Sequence, residues 1–234
     1  MQKRLSDLCS QDRDLTGLGS GERNDAETRY LLAVAVELGL LEEFGISWEE
    51  YILTKQRDRQ GSEHVVEFAV DSGLVVKTTI PPGFGLIPFV NRIRNGFANP
   101  DDDDGSYREA IEFRPATPLE YLDRWIANNE VFHDDVRVVS VIRWKCGAVS
   151  LGITQPQYSG TPADDRDITR YFQAAGWTLL RDPSGHLIFF HYGYHLMAID
   201  AAGRNCFLDS EGIQPFDVIL CAPDEEIETF LGIY

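Results

Sequence analysis

Apolar residues recur at two spacings along the chain, and the switches between them mark its elements. From Thr28 to Glu43, Leu31, Leu32, Val34, Ala35, Val36, Leu38 and Leu41 follow the 3.6-residue period that gives a helix one buried face. Residues 1–27 mix charge with Gly and Ser and read as a loose arm. Ser47 followed by Glu49 and Glu50 has the residue types that cap and charge a helix start, predicting a short helix with Trp48, Tyr51 and Ile52. At Gly61 the period changes to two. His64–Val70 and Gly73–Ile80, dense in β-branched residues, form a hairpin about Asp71-Ser72-Gly73. Pro81–Asp104, with its prolines, glycines and four consecutive aspartates, reads as a long irregular insertion. The aspartate run lacks the alternating ligands and the fixed Gly and Glu of a calcium loop and reads as solvated.

Thr117, Pro118 and Glu120 specify a helix start, with Tyr121, Leu122, Trp125 and Ile126 as its apolar stripe. Val136–Trp144 and Ala148–Thr154 predict a second hairpin around Lys145-Cys146-Gly147, closed by a break at Gln155-Pro156. A helix over Asp165–Gly176, strands within Leu187–Ile199, Asn205–Leu208 and Ile213–Ile219, and a helix over Glu225–Leu231 complete the pattern. The fold class is α+β, divided as N-terminal arm and helices (1–60), a strand-rich lobe (61–154), and a connection with a reduced second lobe (155–234).

The composition narrows the function classes. With 43% apolar residues the 234-residue chain can bury a sizeable core, and no run approaches the ~20 apolar residues that span a bilayer. The four cysteines show no metal-type pairing or disulfide framework, so a reducing, cytoplasmic setting is expected. A net charge of −17 repels nucleic acid, and membrane and nucleic-acid partners are not expected. A polyanionic ligand would need a few placed cations and a metal ion to offset that field.

A set of polar residues meets that need. Lys77 lies inside the second strand of the first hairpin, Gly61 at its start, and Glu120 on the following helix. Asp200-x4-Asn205 has the separation found in the kinase catalytic loop, and Asp217, 12 residues after Asn205, follows an apolar strand. Each has a plainer reading beside it. Lys77 could be a solvent-facing strand residue, Glu120 only a capping-box partner, Asp200 and Asn205 turn formers about Ala201-Ala202-Gly203, and Asp217 the end of a strand. Glu109 and Glu112 rival Glu120 as the partner of Lys77. His191 and His195 read as lying on one face of a strand with His186 close by, but no cysteine or carboxylate completes a ligand set, and Cys206 reads as a small buried hydrophobe.

The segments Gly61-Ser62-Glu63-His64-Val65, Val75-Val76-Lys77, Thr117–Arg124, Thr154-Gln155-Pro156 and Ile199-Asp200 through Asp217-Val218-Ile219 resemble the small serine/threonine/tyrosine-kinase-like domain of bacterial and phage polyvalent proteins. The resemblance runs from about Gly61 to Tyr234. It implies a protein-kinase-like fold, with an antiparallel five-stranded lobe holding one helix, a hinge and a reduced C-terminal lobe. It implies ATP and Mg²⁺ as ligands. Lys77 would contact the phosphates and pair with Glu120, Asn205 and Asp217 would hold the metal, and Asp200 would accept a hydroxyl proton. Gly61 would border the phosphates, and Thr154, Gln155 and Gln157 would supply the hinge. The departures are the single glycine of the first loop, Ala198-Ile199 ahead of Asp200, and Val218-Ile219 after Asp217. Only 17 residues follow Asp217, which leaves out an activation segment and a large helical lobe. The expected activity is therefore an atypical phosphotransferase; the alternative is a catalytically silent nucleotide-binding or protein-interaction module, with a protein partner and a role in a mobile element as further implications.

Overall fold

A computed structural model describes residues 1–11, 15, 19–55, 61–69, 71–94, 107–180, 182 and 185–233. Among them the fold is mixed α and β, built as two compact units: Met1–Ile87 with Pro115–Tyr158, and Pro88–Arg114 with Ser159–Tyr234. The expected segments 1–60 and 61–154 share unit 1 apart from 88–114, which lies in unit 2 with residues 159–234 of the third segment, while 155–158 lie in unit 1.

Unit 1 begins with α1 (Gln2–Gln11) and α2 (Ser20–Leu38), so the expected loose arm is largely helical. The polar residues of the first turns of α2 hid it from the periodicity. Glu27, 1% exposed, accepts from Arg23 Nε at 2.7 Å and from Leu119 N at 3.0 Å, so a buried carboxylate rather than an apolar stripe anchors this stretch. The expected extension of the helix to Glu43 fails because Gly39, at φ 67°, takes the left-handed cap that few other residues adopt. The chain then forms β1 (Leu41–Glu43). α3 (Trp48–Leu53) starts as predicted, with Ser47 Oγ accepting Glu50 N.

β2 (His64–Ala69) and β3 (Leu74–Thr79) form the predicted hairpin, where Ser72 N donates to Ala69 O at 2.9 Å. The stretch expected to be irregular, 81–104, holds β4 (Leu86–Arg94), which pairs with β5 (Tyr107–Pro115) beyond it; β4 begins and β5 ends in unit 1, and both otherwise belong to unit 2. The four aspartates 101–104 lie outside the described residues. α4 (Pro118–Phe132) has the predicted capping box, Thr117 Oγ1 accepting Glu120 N while Glu120 Oε2 accepts Thr117 N at 2.8 Å. β6 (Arg137–Arg143) and β7 (Val149–Pro156) follow as a hairpin.

The five-stranded sheet of unit 1 has the order β1-β6-β7-β3-β2. It is not the all-antiparallel sheet expected: β1, contributed by the N-terminal segment, pairs with β6 in parallel, Leu41 opposite Val141. Tyr121, Leu122 and Trp125 of α4 pack with Val141, Leu151 and Ile153 of the sheet, joined by Leu5 of α1 and Leu31 and Ala35 of α2. Trp48 packs with Val65, Ile142 and Trp144 in a second cluster. Residues at alternate strand positions face opposite sides, which separates the two clusters.

Unit 2 continues with β8 (Thr161–Pro162), α5 (Asp165–Ala174), β9 (Thr178–Leu180), β10 (Ile188–His191) and β11 (Leu196–Ile199). β12 (Cys206–Leu208), β13 (Ile213–Pro215), β14 (Ile219–Cys221) and α6 (Glu225–Leu231) complete it. Its antiparallel sheet has the order β14-β11-β10-β9, and a smaller one the order β13-β12-β8. The core is aromatic: Phe172 of α5 stacks on Phe189 of β10 with centroids 4.4 Å apart and planes 8° from parallel.

Candidate functional site

Unit 2 gathers three of the predicted residues at one end of a strand pair. β11 and β14 are antiparallel with Ile199 opposite Ile219, so Asp200, leaving β11, and Asp217, approaching β14, flank the same end of that ladder. The β12–β13 hairpin between them has Cys206 opposite Pro215, and Phe216 N donates to Asn205 O at 3.0 Å. The hairpin thus returns the chain so that Asp217 follows a residue bonded to Asn205. Spacing in the sequence becomes proximity in space through that register.

The turn itself is tightly specified. Asp200 has φ 63°, a left-handed conformation rare outside glycine and tolerated by Asp, whose short polar side chain can bond locally. Asn205, 7% exposed, donates through Nδ2 to the Asp200 carbonyl and to Asp200 Oδ2, both at 2.8 Å. Arg204 Nη2 bonds Asp200 Oδ1. Gly203 is required by close approach: a Cβ there would stand 2.6 Å from Ala163 O and 3.3 Å from Pro162 Cβ, against the segment that pairs with β12. Cys206 is fully buried, and burial, with the Asp200 charge adding to it, pushes its thiol up to about 12, in keeping with a packing role.

In unit 1 the structure buries Lys77. It sits in β3 opposite Val66 and Ile153, 5% exposed, with Nζ 5.3 Å from the centroid of the Trp125 ring on α4. The plainer reading of a solvent-facing strand residue is therefore wrong for the side chain itself. Arg124 Cζ stands 4.9 Å from the same ring, so two cations share one indole. Arg124, 3% exposed, donates through Nη1 to Glu63 Oε2 at 2.5 Å. That oxygen also accepts Leu86 N at 3.0 Å. Glu120 caps α4 through Oε2 and lies in the field of Arg23, whose pKa is raised chiefly by its hydrogen bond to Glu27. The rival carboxylates are held in unit 2, Glu109 by Arg92 Nε and Glu112 by Asn91 Nδ2.

The remaining expected residues are distributed as follows. Gly61 donates its N–H to His64 O at 2.9 Å at the entry to β2. Thr154 and Gln155, expected in a hinge, lie inside β7, opposite Val76 and Val75. The expected break at Gln155-Pro156 is absent because β3 keeps pairing to Leu74 opposite Pro156, where a strand end tolerates proline. Gln157 N–H is spent on Gly73 O at 2.8 Å. Gln155 Nε2 instead donates at 2.6 Å to Asp134 Oδ2, a carboxylate with no exposure that also accepts Tyr158 Oη on Oδ1 at 2.5 Å. Burial first, and then Asp134, raise the Tyr158 hydroxyl above the ordinary phenol range.

Glu63, Arg124, Asp134 and Tyr158 carried no sequence signal. Arg124 resembles any charge on a solvated helix face, and only tertiary packing buries it. The histidines do not gather: His191 Nδ1 accepts Tyr194 N at 3.2 Å, His195 Nε2 faces Glu228 Oε1 at 3.0 Å, and His186 meets the Phe113 ring. A turn separates His191, the last residue of β10, from His195, so they do not share a strand face. No group of three or more His, Cys, Asp or Glu is placed to hold a metal among the described residues. No helix among them is long and apolar enough to cross a membrane. No family model, curated protein or solved structure matches the chain.

Proposed function

We propose that the chain is a kinase-like phosphotransferase acting on ATP with Mg²⁺. The observation that carries this reading is the Asp200–Asn205 turn, with a buried Asn205 bonded to Asp200 and Asp217 at the same strand end. Unit 1 supports it with four antiparallel strands ordered β6-β7-β3-β2, with α4 falling between β3 and β6 in the chain, and with a lysine on β3 held beside that helix. In this reading Lys77 contacts phosphate, Asn205 Oδ1 and the Asp217 carboxylate hold the metal, and Asp200 accepts the proton of the acceptor hydroxyl. These oxygens suit Mg²⁺, which takes few protein ligands and completes its shell with water and phosphate, so a set smaller than three acids suffices. Bound there, Mg²⁺ would neutralise phosphate charge.

ATP with Mg²⁺ should raise the melting temperature. A ligand at a hundredfold excess over Kd adds ~2.7 kcal/mol, worth about 5–10 °C in a chain of this size. Asp217→Asn should remove the Mg²⁺-dependent part and Lys77→Met the nucleotide-dependent part. No shift with ATP, ADP or GTP at millimolar concentration, with or without Mg²⁺ or Mn²⁺, would reject the reading.

A second reading, a silent nucleotide-binding or interaction module, is favoured by one feature: both Asp200 carboxylate oxygens are engaged, by Arg204 and by Asn205. Transfer of labelled γ-phosphate to any acceptor, water included, separates the two. Asp200→Ala should lower that transfer ~10²–10⁴-fold while sparing nucleotide affinity.

A further inference from the structure

We infer that Glu63, Arg124 and Tyr121 are positioning residues for the phosphate end of the nucleotide, stapling the Gly61–His64 segment to α4. This rests on the reading of Lys77 as the phosphate cation. The segment enters β2 and is held at four points, none of which needs a ligand. Glu63 Oε2 takes the Arg124 guanidinium and the Leu86 N–H. The Glu63 carbonyl accepts Ile80 N at 3.0 Å, one residue beyond the end of the strand that carries Lys77. His64 Nε2 bonds Tyr121 Oη at 2.8 Å, one turn before Trp125 on α4. Gly61 N closes on His64 O.

The burial of these groups separates a positioning role from surface decoration. Arg124 is 3% and the Glu63 side chain 11% exposed, and His64 and Tyr121 are buried. The fit around Glu63 is close as well: a Cβ on Gly85 would stand 2.7 Å from Glu63 Oε2 and 2.9 Å from the Tyr121 ring. Arg124 and Lys77 share the Trp125 ring, and the Glu63 carboxylate offsets one of those two cations. The segment bearing Gly61, the helix and the strand of the lysine are therefore tied by the Glu63–Arg124 pair, the His64–Tyr121 hydrogen bond and the Ile80 N–H to Glu63 carbonyl bond, and a ligand using Gly61 and Lys77 would meet them preorganised.

The test is a comparison of ATP with adenosine, which shares the base and ribose and lacks the phosphates, by titration calorimetry on the full chain. Glu63→Gln keeps shape and removes the charge; Tyr121→Phe keeps the ring and removes the bond to His64. The inference expects ATP binding to weaken about tenfold in Glu63→Gln and about threefold in Tyr121→Phe, with adenosine held within about twofold, the scale of one lost charged or neutral hydrogen bond. Arg124→Lys, which keeps the cation, should recover most of the ATP preference that Arg124→Gln loses. Equal weakening of ATP and adenosine would show a general structural role and overturn the inference, as would unchanged ATP binding in both variants. Should Glu63→Gln fail to fold, Tyr121→Phe decides by the same ratio. A wild-type chain that binds neither ligand would overturn the nucleotide reading itself and the inference with it, a result distinct from wild-type binding with an unaltered ratio.

Discussion

The two units bury different chemistry. Unit 1 encloses Glu27, His64, Lys77, Arg124, Asn128, Asp134 and Gln155, each at most 5% exposed, among its apolar residues. Unit 2 encloses Phe172, Phe189, Phe190, Met197 and Ile199 with no exposure, and among the described residues Asn205 is its one buried polar side chain. Apolar burial is non-directional and tolerant, whereas a buried charge is costly unless its partners are in place. Unit 1 is therefore specified by matched pairs and unit 2 by packed rings. The contrast also gives Asn205 weight: in a unit whose core avoids polar atoms, the exception lies in the turn that carries Asp200.

The comparison predicts different failures. The largest is expected from Phe189→Ala, which removes the ring stacked on Phe172 and should cost about 3–5 kcal/mol, a fall of roughly 6–20 °C in melting temperature. Hydrogen exchange should quicken in β9, β10 and β11 first; protection lost equally from β6 and β7 would show that the aromatic core is not particular to unit 2.

Asp134→Ala tests the other unit. It leaves Gln155 Nε2 and Tyr158 Oη without their acceptor at a cost of about 1–3 kcal/mol per buried group. Since Asp134 contributes to raising the Tyr158 hydroxyl, its loss should move that titration to lower pH, read by phenolate absorbance. The raised hydroxyl favours the fold at pH values below the ordinary phenol range, and that contribution is lost as pH climbs through the folded-state value. A Tyr158 titration unmoved by Asp134→Ala would break the pairing.

The smallest effect is a difference in labelling. Cys146 is exposed and Cys206 buried with its thiol pushed up to about 12, so iodoacetamide at pH 8 should modify Cys146 and spare Cys206, read by mass spectrometry. The neutral thiol contributes stability below its ordinary value of 9.0, and that contribution declines as pH rises toward about 12. Modification of Cys206 at a rate like that of Cys146 would show that the Asp200 turn opens readily.

How much of this was legible in the sequence depended on whether the signal was local. The Thr117 and Ser47 caps, the hairpin at Asp71-Ser72-Gly73 and the strands β10 to β13 of unit 2 were readable, because a side chain bonding three residues away, or an alternation of two, is written in adjacent positions. α1 and the early turns of α2 were not, since their polar residues are fixed by partners as distant as Leu119. β4 was hidden by the prolines and glycines around it, which usually mark loops.

By itself the sequence determined the α+β class, the capped helices and the candidate residues Lys77, Asp200, Asn205 and Asp217. Only the tertiary structure decided that β1 joins its sheet in parallel, that Lys77 is buried beside Trp125, that Glu63 is the partner of Arg124, and that Asp200 and Asp217 flank one strand end. The reason is physical: caps and turns are bonds between near neighbours, whereas a buried charge and a strand register are chosen by residues tens of positions away, whose identity no local pattern encodes.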